Sequence, residues 1–280
     1  MSERTAVLGL AAAALLSAGA TPAAGQDWHT VTSTRQVGAE NLLRVDVEYG
    51  AGRLVIGAAP AGTLYRSKLR YDQNLFEPRT SYRNGLLRIG VDAGRMRGRN
   101  IEAGLLDLAL SPEIPVELEL RFGAAEAALD LGGLRVRHAK ISTGASRTAL
   151  RVATPNPDIC RAIVIEVGAA QFTATGLGNL NAERLSLHGG VGEVILDFTG
   201  EWKSDMTADV AMGLGALTLR IPRGVGVRVR KGGILAGFDS QGLIKRGDVY
   251  FSEDWDSAER KLTIDVDAAL GSVRVAWVDG

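Results

Sequence analysis

The amino-acid sequence predicts an all-β chain that forms a single-domain β-solenoid, a stack of rungs in which each rung is one copy of a short sequence repeat. Three observations predict this fold. A glycine-containing motif recurs about every 22 residues, an alternation of apolar and polar residues typical of strands flanks each copy, and the composition suits short strands joined by tight turns. With 46% hydrophobic residues, 5% aromatic residues and 35 glycines, the core must consist of small and medium aliphatic side chains.

The repeated motif reads glycine, any residue, a small residue, a polar residue and an apolar residue. Its regular copies begin at Gly123, Gly144, Gly168, Gly190 and Gly213, which are separated by 21, 24, 22 and 23 residues, and outer copies begin at Gly50 and Ala269. We expect each motif to form a corner, where glycine supplies a positive φ and the small third residue lets adjacent rungs stack closely. The predicted turn glycines are Gly50, Gly52, Gly123, Gly144, Gly168, Gly190, Gly192, Gly213, Gly215 and Gly271.

Apolar and polar residues alternate on both sides of the motifs, for example in residues 118–122 and 217–221. This period of two predicts strands with one inward and one outward face. If the copies stack in register, outward acids and bases of neighbouring rungs meet, and each such pair contributes about 0.2–1 kcal/mol. The predicted charge ladder has one column with Glu126, Arg147 and Glu193, and another with Asp130, Arg151, Asp197 and Arg220.

The first 25 residues read as an export signal. Arg4 precedes an apolar run over residues 6–18, and small residues at 21–25 suit cleavage before Gln26 or one residue earlier. The run is shorter than the ~20 apolar residues of a membrane span. We therefore predict a signal peptide over residues 1–25, a mature chain without a transmembrane segment, and a periplasmic or extracellular location. An uncleaved anchor is the alternative.

The mature chain, residues 26–280, is expected to be one continuous β-solenoid. Residues 116–280 carry the regular rungs. Residues 26–115 fit the period less well and are interpreted as rungs with longer loop insertions, one of which contains the hairpin signal Asn84-Gly85. Arg95, Arg97 and Arg99 lie in another insertion, where they suit either solvent or an anionic envelope polymer.

Several functional classes find no support in the sequence. A net charge of zero disfavours nucleic acid as a partner. Strand-like sequence follows every glycine cluster, so neither a dinucleotide nor any other cofactor is predicted. His29, His138 and His188 have no partner at metal-binding spacing, so no metal site is predicted. Cys160 is the only cysteine and is expected to be a small, partly buried residue; an intermolecular disulfide is the alternative.

No catalytic constellation stands out, and we predict that the protein is not an enzyme. Stacked-rung folds can nevertheless host polysaccharide lyases and hydrolases, which use two carboxyl groups or an acid–base pair. The candidate pairs are Asp130 with Asp197, and Asp254 with Asp256 on either side of Trp255. The first pair belongs to the predicted charge ladder. The second lies in a loop, where an aromatic ring between two acids suits a sugar.

Two sets of segments resemble bacterial envelope families. Residues 108–118, 122–125, 189–202 and 213–215 resemble the toast-rack domain family, and residues 219–227 resemble the C-terminal domain of the cell-wall-active antibiotic response proteins. The resemblance covers nearly all of the chain from about Gln26 onward. It implies an extracytoplasmic β-solenoid without catalytic residues and a tie to envelope-stress signalling. The response proteins carry transmembrane helices before the solenoid, whereas this chain has a signal there, which argues against direct signalling through a membrane.

The predicted function is a binding or scaffolding module of the cell envelope, linked to envelope stress, whose partner is an envelope protein or a glycan. One alternative is a carbohydrate-active enzyme on the same fold. Another is a self-assembling, adhesin-like surface protein, because the last strand, with Val273, Val275 and Trp277, is expected to leave an open β-edge. A flat sidewall with paired charges favours the module, and a cleft with two carboxylates and an aromatic ring favours the enzyme.

Overall fold

The computed structural model describes residues 27–93, 104–233 and 235–279. The predicted signal peptide and the loop with Arg95, Arg97 and Arg99 lie outside the described residues. Within the described ranges the protein is all-β: its strands join in one sheet, and the one helical element is a 3-10 turn, Leu177–Leu180. No helix in this part of the chain is long and apolar enough to cross a membrane.

The strands follow one another along the chain and differ widely in length. They are β1 (Trp28–Gln36), β2 (Leu43–Ala58), β3 (Thr63–Asp72), β4 (Phe76–Arg83), β5 (Leu86–Ala93), β6 (Gly104–Leu110), β7 (Pro115–Asp130), β8 (Arg135–Thr143), β9 (Arg147–Arg151), β10 (Ala162–Thr175), β11 (Arg184–Asp197), β12 (Met206–Pro222), β13 (Gly226–Gly232), β14 (Leu235–Asp239), β15 (Ile244–Arg246), β16 (Val249–Phe251) and β17 (Lys261–Val278).

A parallel ladder forms the middle of the molecule. Its strands pair in the order β2, β7, β8 with β9, β10, β11, β12 and β17. At the corner Phe122 pairs with Thr143, Thr143 with Val167, Val167 with Gly189 and Gly189 with Met212. These partners are separated by the same 21, 24, 22 and 23 residues as the motifs, so each motif lies directly beside the next.

The core consists of columns of inward side chains, one residue from each strand of the ladder. On one wall the column is Val47, Leu120, Ile141, Ile165, Leu187, Val210 and Val266, each at most 2% exposed. On the other wall it is Leu54, Ala127, Thr148, Phe172, Val194, Leu217 and Val273. Burial of each large aliphatic or aromatic side chain contributes about 1.5–3 kcal/mol, more than one cross-rung charge pair.

Glycine serves two different purposes at the corners. The third motif position has positive φ in Gly52, Gly192, Gly215 and Gly271, with values from 129° to 142°. The first motif position does not, which corrects the predicted role of positive φ there. A Cβ on Gly213 would instead lie 2.6 Å from the carbonyl oxygen of Gly190. At Gly123, Gly168, Gly190 and Gly213 glycine is therefore required because adjacent backbones approach closely, whereas no atom lies within 4 Å of a Cβ built on Gly50.

The N-terminal end differs from the expected continuation of parallel rungs. β5 and β6 run parallel to β2, but β1, β3 and β4 form antiparallel pairs with β3, β6 and β5 respectively. The hairpin predicted at Asn84-Gly85 is confirmed: Arg83 pairs with Leu86, and φ is 50° at Asn84 and 75° at Gly85. Two positive φ values in a two-residue loop are the signature of a type I′ turn.

The C-terminal end corrects the prediction of an open edge at the last strand as far as residue 274, whereas Val275 and Trp277 pair with β12 alone. β17 lies between β12 on one side and β13 with β14 on the other. Val273, for example, pairs with both Leu217 and Phe238. The chain leaves β12 to form β13 to β16 before it returns as β17, so the order of strands in the ladder is not their order in the sequence.

Candidate functional site

A cleft of about 810 Å³ opens at the C-terminal end of the ladder. Its size lies within the usual range for small-molecule sites. Four segments distant in sequence contribute to it: the turn after β12, the loop between β14 and β15, the loop after β16, and the end of β17. The side chains that matter chemically are Arg223, Asp239, Gln241, Glu253, Asp254, Arg274 and Trp277.

The ring of Trp277 is held in place by the loop opposite. Its indole N–H donates a hydrogen bond of 2.8 Å to the carbonyl oxygen of Gln241. The next residue, Gly242, has φ 78°, and a Cβ there would lie 2.5 Å from the indole nitrogen. Glycine at this position therefore allows the ring to lie against the loop backbone. The aromatic wall of the cleft is fixed before any ligand arrives.

Two guanidinium groups and three carboxylates share the cleft with this ring; they belong to Arg223, Arg274, Asp239, Glu253 and Asp254. Arg223 lies 3.7 Å from Asp279, and Arg274 lies 3.8 Å from Asp239. Both separations exceed a normal hydrogen-bond length, so N–H groups of both arginines remain open to a ligand. The side chains of Arg223 and Arg274 are 72% and 69% exposed, which leaves them accessible from solvent.

The structure separates the members of the predicted pair Asp254 and Asp256. Asp254 lines the cleft, whereas Asp256 contacts Arg246 at 3.5 Å outside it. Trp255, predicted to stand between two acids, packs edge-on against Phe251 with ring centroids 5.7 Å apart. Asp254 thus lines a cleft whose aromatic residue is Trp277, not the Trp255 that the sequence suggested.

The other predicted pair, Asp130 and Asp197, is not brought together. Asp130 lies on β7 and Asp197 on β11, with β9 and β10 between them, so their backbones are about 14 Å apart at the usual strand spacing. Each carboxylate accepts a hydrogen bond of 2.9 Å from the backbone N–H two residues later. Both aspartates therefore stabilise the turns that end their strands.

The residues of the predicted charge ladder lie side by side on neighbouring strands. Glu126 is the register partner of Arg147, Asp130 of Arg151, and Asp197 of Arg220. The Arg220 guanidinium lies 3.9 Å from the Asp197 carboxylate. Gln171 bridges the first column, since it accepts a hydrogen bond from Arg147 and donates one to Glu193.

A denser charge cluster on the opposite wall was missed at the sequence level. Arg121 on β7 contacts Asp46 at 2.7 Å and Glu48 at 3.0 Å on β2, and also Glu119. Burial opposes the charged form, but the hydrogen bond to Glu48 and the three negative charges outweigh it and raise the pKa of Arg121. The signal was present in the alternation around residues 46–48 and 119–121, but 73 residues separate the two strands.

Cys160 and the histidines lie outside the cleft. Cys160 was expected to be partly buried and is fully buried, and burial raises the pKa of its thiol to about 12. His29 lies 3.3 Å from Asp27, and His188 contacts Ser186 at 3.2 Å. Among the described residues no group of three or more His, Cys, Asp or Glu side chains is placed to hold a metal ion.

Comparison with protein families matches the chain to the family described as the N-terminal domain of toast_rack, DUF2154, over residues 24–173 and 156–220. Together these matches span more than half of the 280 residues. The chain belongs to the toast-rack family. The match ends within β12, so the toast-rack assignment covers the ladder from β2 to β12, whereas β17 and the residues that line the cleft follow it.

No curated protein matches the chain. Solved structures are similar over most of its length but distantly so. A candidate cell-adhesion protein of Clostridium sporogenes is 14% identical, with 90% of this chain and 100% of that chain covered and a TM-score of 0.45. A candidate adhesin of Bacteroides fragilis is 12% identical, with coverage of 88% and 97% and a TM-score of 0.39. A candidate lipid-binding protein of Parabacteroides distasonis is 10% identical, with coverage of 87% and 96% and a TM-score of 0.36.

Proposed function

We propose that this toast-rack protein is an exported, non-enzymatic binding module of the bacterial cell envelope, and that its cleft around Trp277 binds a glycan. The observation that carries the proposal is an aromatic ring fixed beside two guanidinium groups and three carboxylates in one cleft. Export is inferred from the apolar run at residues 6–18 and the small residues that follow it. A tie to envelope stress is proposed on the family resemblance alone.

A glycan suits this cleft because a sugar, like the cleft, combines apolar surface with hydrogen-bonding groups. Sugar rings present apolar C–H faces that pack against aromatic rings, and hydroxyl groups that both donate and accept hydrogen bonds. Trp277 offers the ring, Arg223 and Arg274 offer donors, and Asp239 and Asp254 offer acceptors. A simple ion would be attracted by one sign of charge and repelled by the other, whereas a hydroxyl-rich ligand uses both.

The ladder supports this role as a rigid scaffold. We propose that it coils as a β-solenoid over the mature chain, with residues 26–115 forming one end and residues 116–280 the regular rungs. The supporting observation is the in-register pairing of each motif with the next. Sites held by regular elements are more precise than sites on free loops, and β12 and β17 both end at the cleft.

The proposal is tested with the mature chain, residues 26–280, and a panel of soluble neutral, anionic and amino-sugar oligosaccharides, including peptidoglycan fragments. Calorimetry should detect binding to at least one class. Trp277→Ala should weaken it at least tenfold, about 1.4 kcal/mol, because the packing surface is lost. Trp28→Ala is the matched control: Trp28 lies in β1 and stacks with Arg70 at 4.0 Å, far from the cleft in the ladder. Equal affinity of the Trp277 variant and the wild type would refute the proposed site.

The second candidate function is a carbohydrate-active enzyme, which is favoured by the carboxylates of Asp239, Glu253 and Asp254 beside Trp277. Two carboxyl groups are what glycoside hydrolysis requires. The same oligosaccharides are incubated with the protein and assayed for new reducing ends or unsaturated products. The binding module predicts that all bound glycan is recovered uncleaved. Cleavage that Glu253→Gln or Asp254→Asn abolishes without loss of binding would establish the enzyme instead.

A further inference from the structure

An apolar ridge runs along one corner of the ladder. It consists of Val191, Leu214 and Leu270, which are 52%, 43% and 49% exposed. Val191 is the register partner of Leu214, and Leu214 is the partner of Leu270. The three side chains therefore stand on adjacent rungs, about 4.8 Å apart along the stack.

The ridge is not needed to form the corner. The same motif position is alanine in the preceding copies, Ala124, Ala145 and Ala169, and these alanines are also exposed. Across the described ranges five large apolar residues are exposed; the other two, Ile159 and Ile244, stand elsewhere. Large aliphatic side chains thus replace alanine on three consecutive rungs only. A contiguous exposed apolar surface of this kind marks an interaction site.

A groove of about 530 Å³ lies beside the ridge and spans the same rungs. Gly190 and Gly213 in its floor cannot carry a side chain, since a Cβ there would lie 2.7 Å and 2.6 Å from carbonyl oxygens of the preceding rung. The lining is mostly apolar but includes two polar side chains, and it consists of His188, Gly189, Gly190, Ala211, Met212, Gly213, Gly233, Asp267, Ala268 and Ala269.

We propose that this corner is an interface with a second copy of the chain, in which the ridge of each copy lies in the groove of the other. Ridge and groove have the same length and the same spacing, because one ladder sets both. A two-fold axis parallel to the stack exchanges them, so each copy fills the groove of its partner, as a symmetric dimer interface requires. The ridge is apolar and the groove is mostly apolar, with His188 and Asp267 as its polar members, so their contact removes apolar surface of both from water.

The charges around the ridge favour a second copy over a lipid surface. Within two residues on either side of Val191, Leu214 and Leu270 the sequence has no Lys or Arg, and it has one acid, Glu193. Contact with an anionic membrane draws on basic residues beside the apolar ones, and these are absent from this stretch of sequence. The interface is separate from the cleft, so it does not depend on the proposed glycan binding.

The inference is tested by sedimentation equilibrium of residues 26–280 over a range of concentrations. A dimer is expected, and Leu214→Ser combined with Leu270→Ser should raise its dissociation constant at least tenfold. Ile159→Ser is the matched control: Ile159 is 56% exposed but lies off the ridge, so its change should have no effect. Unchanged circular dichroism verifies that the ridge variant is folded. A monomer at all concentrations, or equal weakening by both variants, would overturn the proposal.

Disulfide trapping tests the arrangement of the two copies. With the ridge of one copy in the groove of the other, Leu214 lies over Ala211 of the second copy. Oxidation should therefore yield a covalent dimer of the double variant Leu214→Cys/Ala211→Cys, and not of either single variant. Cys160 does not interfere because it is buried. A covalent dimer of Leu214→Cys alone would overturn the ridge-in-groove contact. If the wild type is monomeric and floats with lipid vesicles, whereas the ridge variant does not float, the ridge binds lipid instead.

Discussion

The first and third positions of the repeated motif select glycine for different physical reasons. At Gly123, Gly168, Gly190 and Gly213, which hold the first position, space decides, because the backbone of the adjacent strand occupies the place of a side chain. At the third position conformation decides, since φ is positive in Gly52, Gly192, Gly215 and Gly271. The sequence shows where the glycines recur, but their recurrence does not tell whether a position lacks space for a side chain or requires a positive φ. That distinction requires coordinates.

Gly213→Ala should destabilise the protein by about 1–3 kcal/mol, because the new Cβ would overlap the Gly190 carbonyl oxygen and force the rungs apart. Gly57→Ala, also in a strand, is the control. No atom lies within 4 Å of a Cβ built there, and φ is not positive, so alanine should be neutral or slightly stabilising. Urea unfolding monitored by circular dichroism measures both. Equal free energies of unfolding for the two variants would contradict the close-approach explanation.

Asp158, in the segment between β9 and β10, couples the stability of the protein to pH. Its carboxylate is 11% exposed and lies 2.8 Å from Arg135 and 2.9 Å from Arg137. Burial alone would raise the pKa of Asp158, but the hydrogen bonds and charges of the two arginines outweigh burial and lower it. Since the folded pKa lies below the unfolded one, the contribution is complete above the unfolded value. It disappears as the pH falls through the folded value.

Asp158→Asn should therefore cost about 1–2 kcal/mol at pH 7, because both arginines are partly exposed and the pair is screened by solvent. The difference from the wild type should shrink below about pH 4 and approach zero at lower pH, where the wild-type carboxyl is protonated too. Urea unfolding at several pH values measures this. The exposed Asp248→Asn variant should show no such trend. A difference that persists at low pH would mean that packing, not charge, accounts for the loss.

At the scale of strands, the alternation around the motifs predicted β7, β10, β11 and β12, and Asn84-Gly85 predicted the turn between β4 and β5. The place of β17 was not predictable. It depends on pairing of Met212 with Ala268, 56 residues apart, with β13 to β16 lying between β12 and β17 in the sequence. The cleft was missed for the same reason, because four distant segments build it. The sequence indicated Asp254 as a candidate site residue, but it did not indicate Arg223 or Arg274.

Hydrogen exchange measured by NMR should show the internal position of β17 directly. Parallel neighbours on both sides pair with residues 262–267 and 270–274, so consecutive amides there should exchange slowly. β1 is the comparison: all its register partners lie in β3, so only alternate amides should be protected. Alternating protection in β17 would show that β13 and β14 do not cover it, and the strand would then be the open edge that the sequence suggested.

For the whole molecule, the parallel ladder continues at each end into antiparallel strands. β1, β3 and β4 form one end, and β15 and β16 pair antiparallel at the other. Exposed parallel edges invite further strands, so such ends limit growth of the stack. The spacing of the repeat agrees with the register of the parallel ladder, in which each strand meets only its neighbours. It could not predict the ends, where the chain abandons the repeat and the periodicity is lost.

The dimer and the cleft together predict how the molecule would hold a polymer. A two-fold axis parallel to the stack leaves the C-terminal ends of both copies on the same side, so both clefts would face one surface. A long glycan could then occupy both, and the second contact would be intramolecular.

Leu214→Ser combined with Leu270→Ser should weaken binding to an immobilised glycan polymer at least tenfold, yet leave binding to a short oligosaccharide unchanged. Surface plasmon resonance against the polymer and calorimetry against the oligosaccharide measure the two. Equal losses on both ligands would show that the ridge itself contacts the glycan, whereas no loss on either would show that the two clefts act separately.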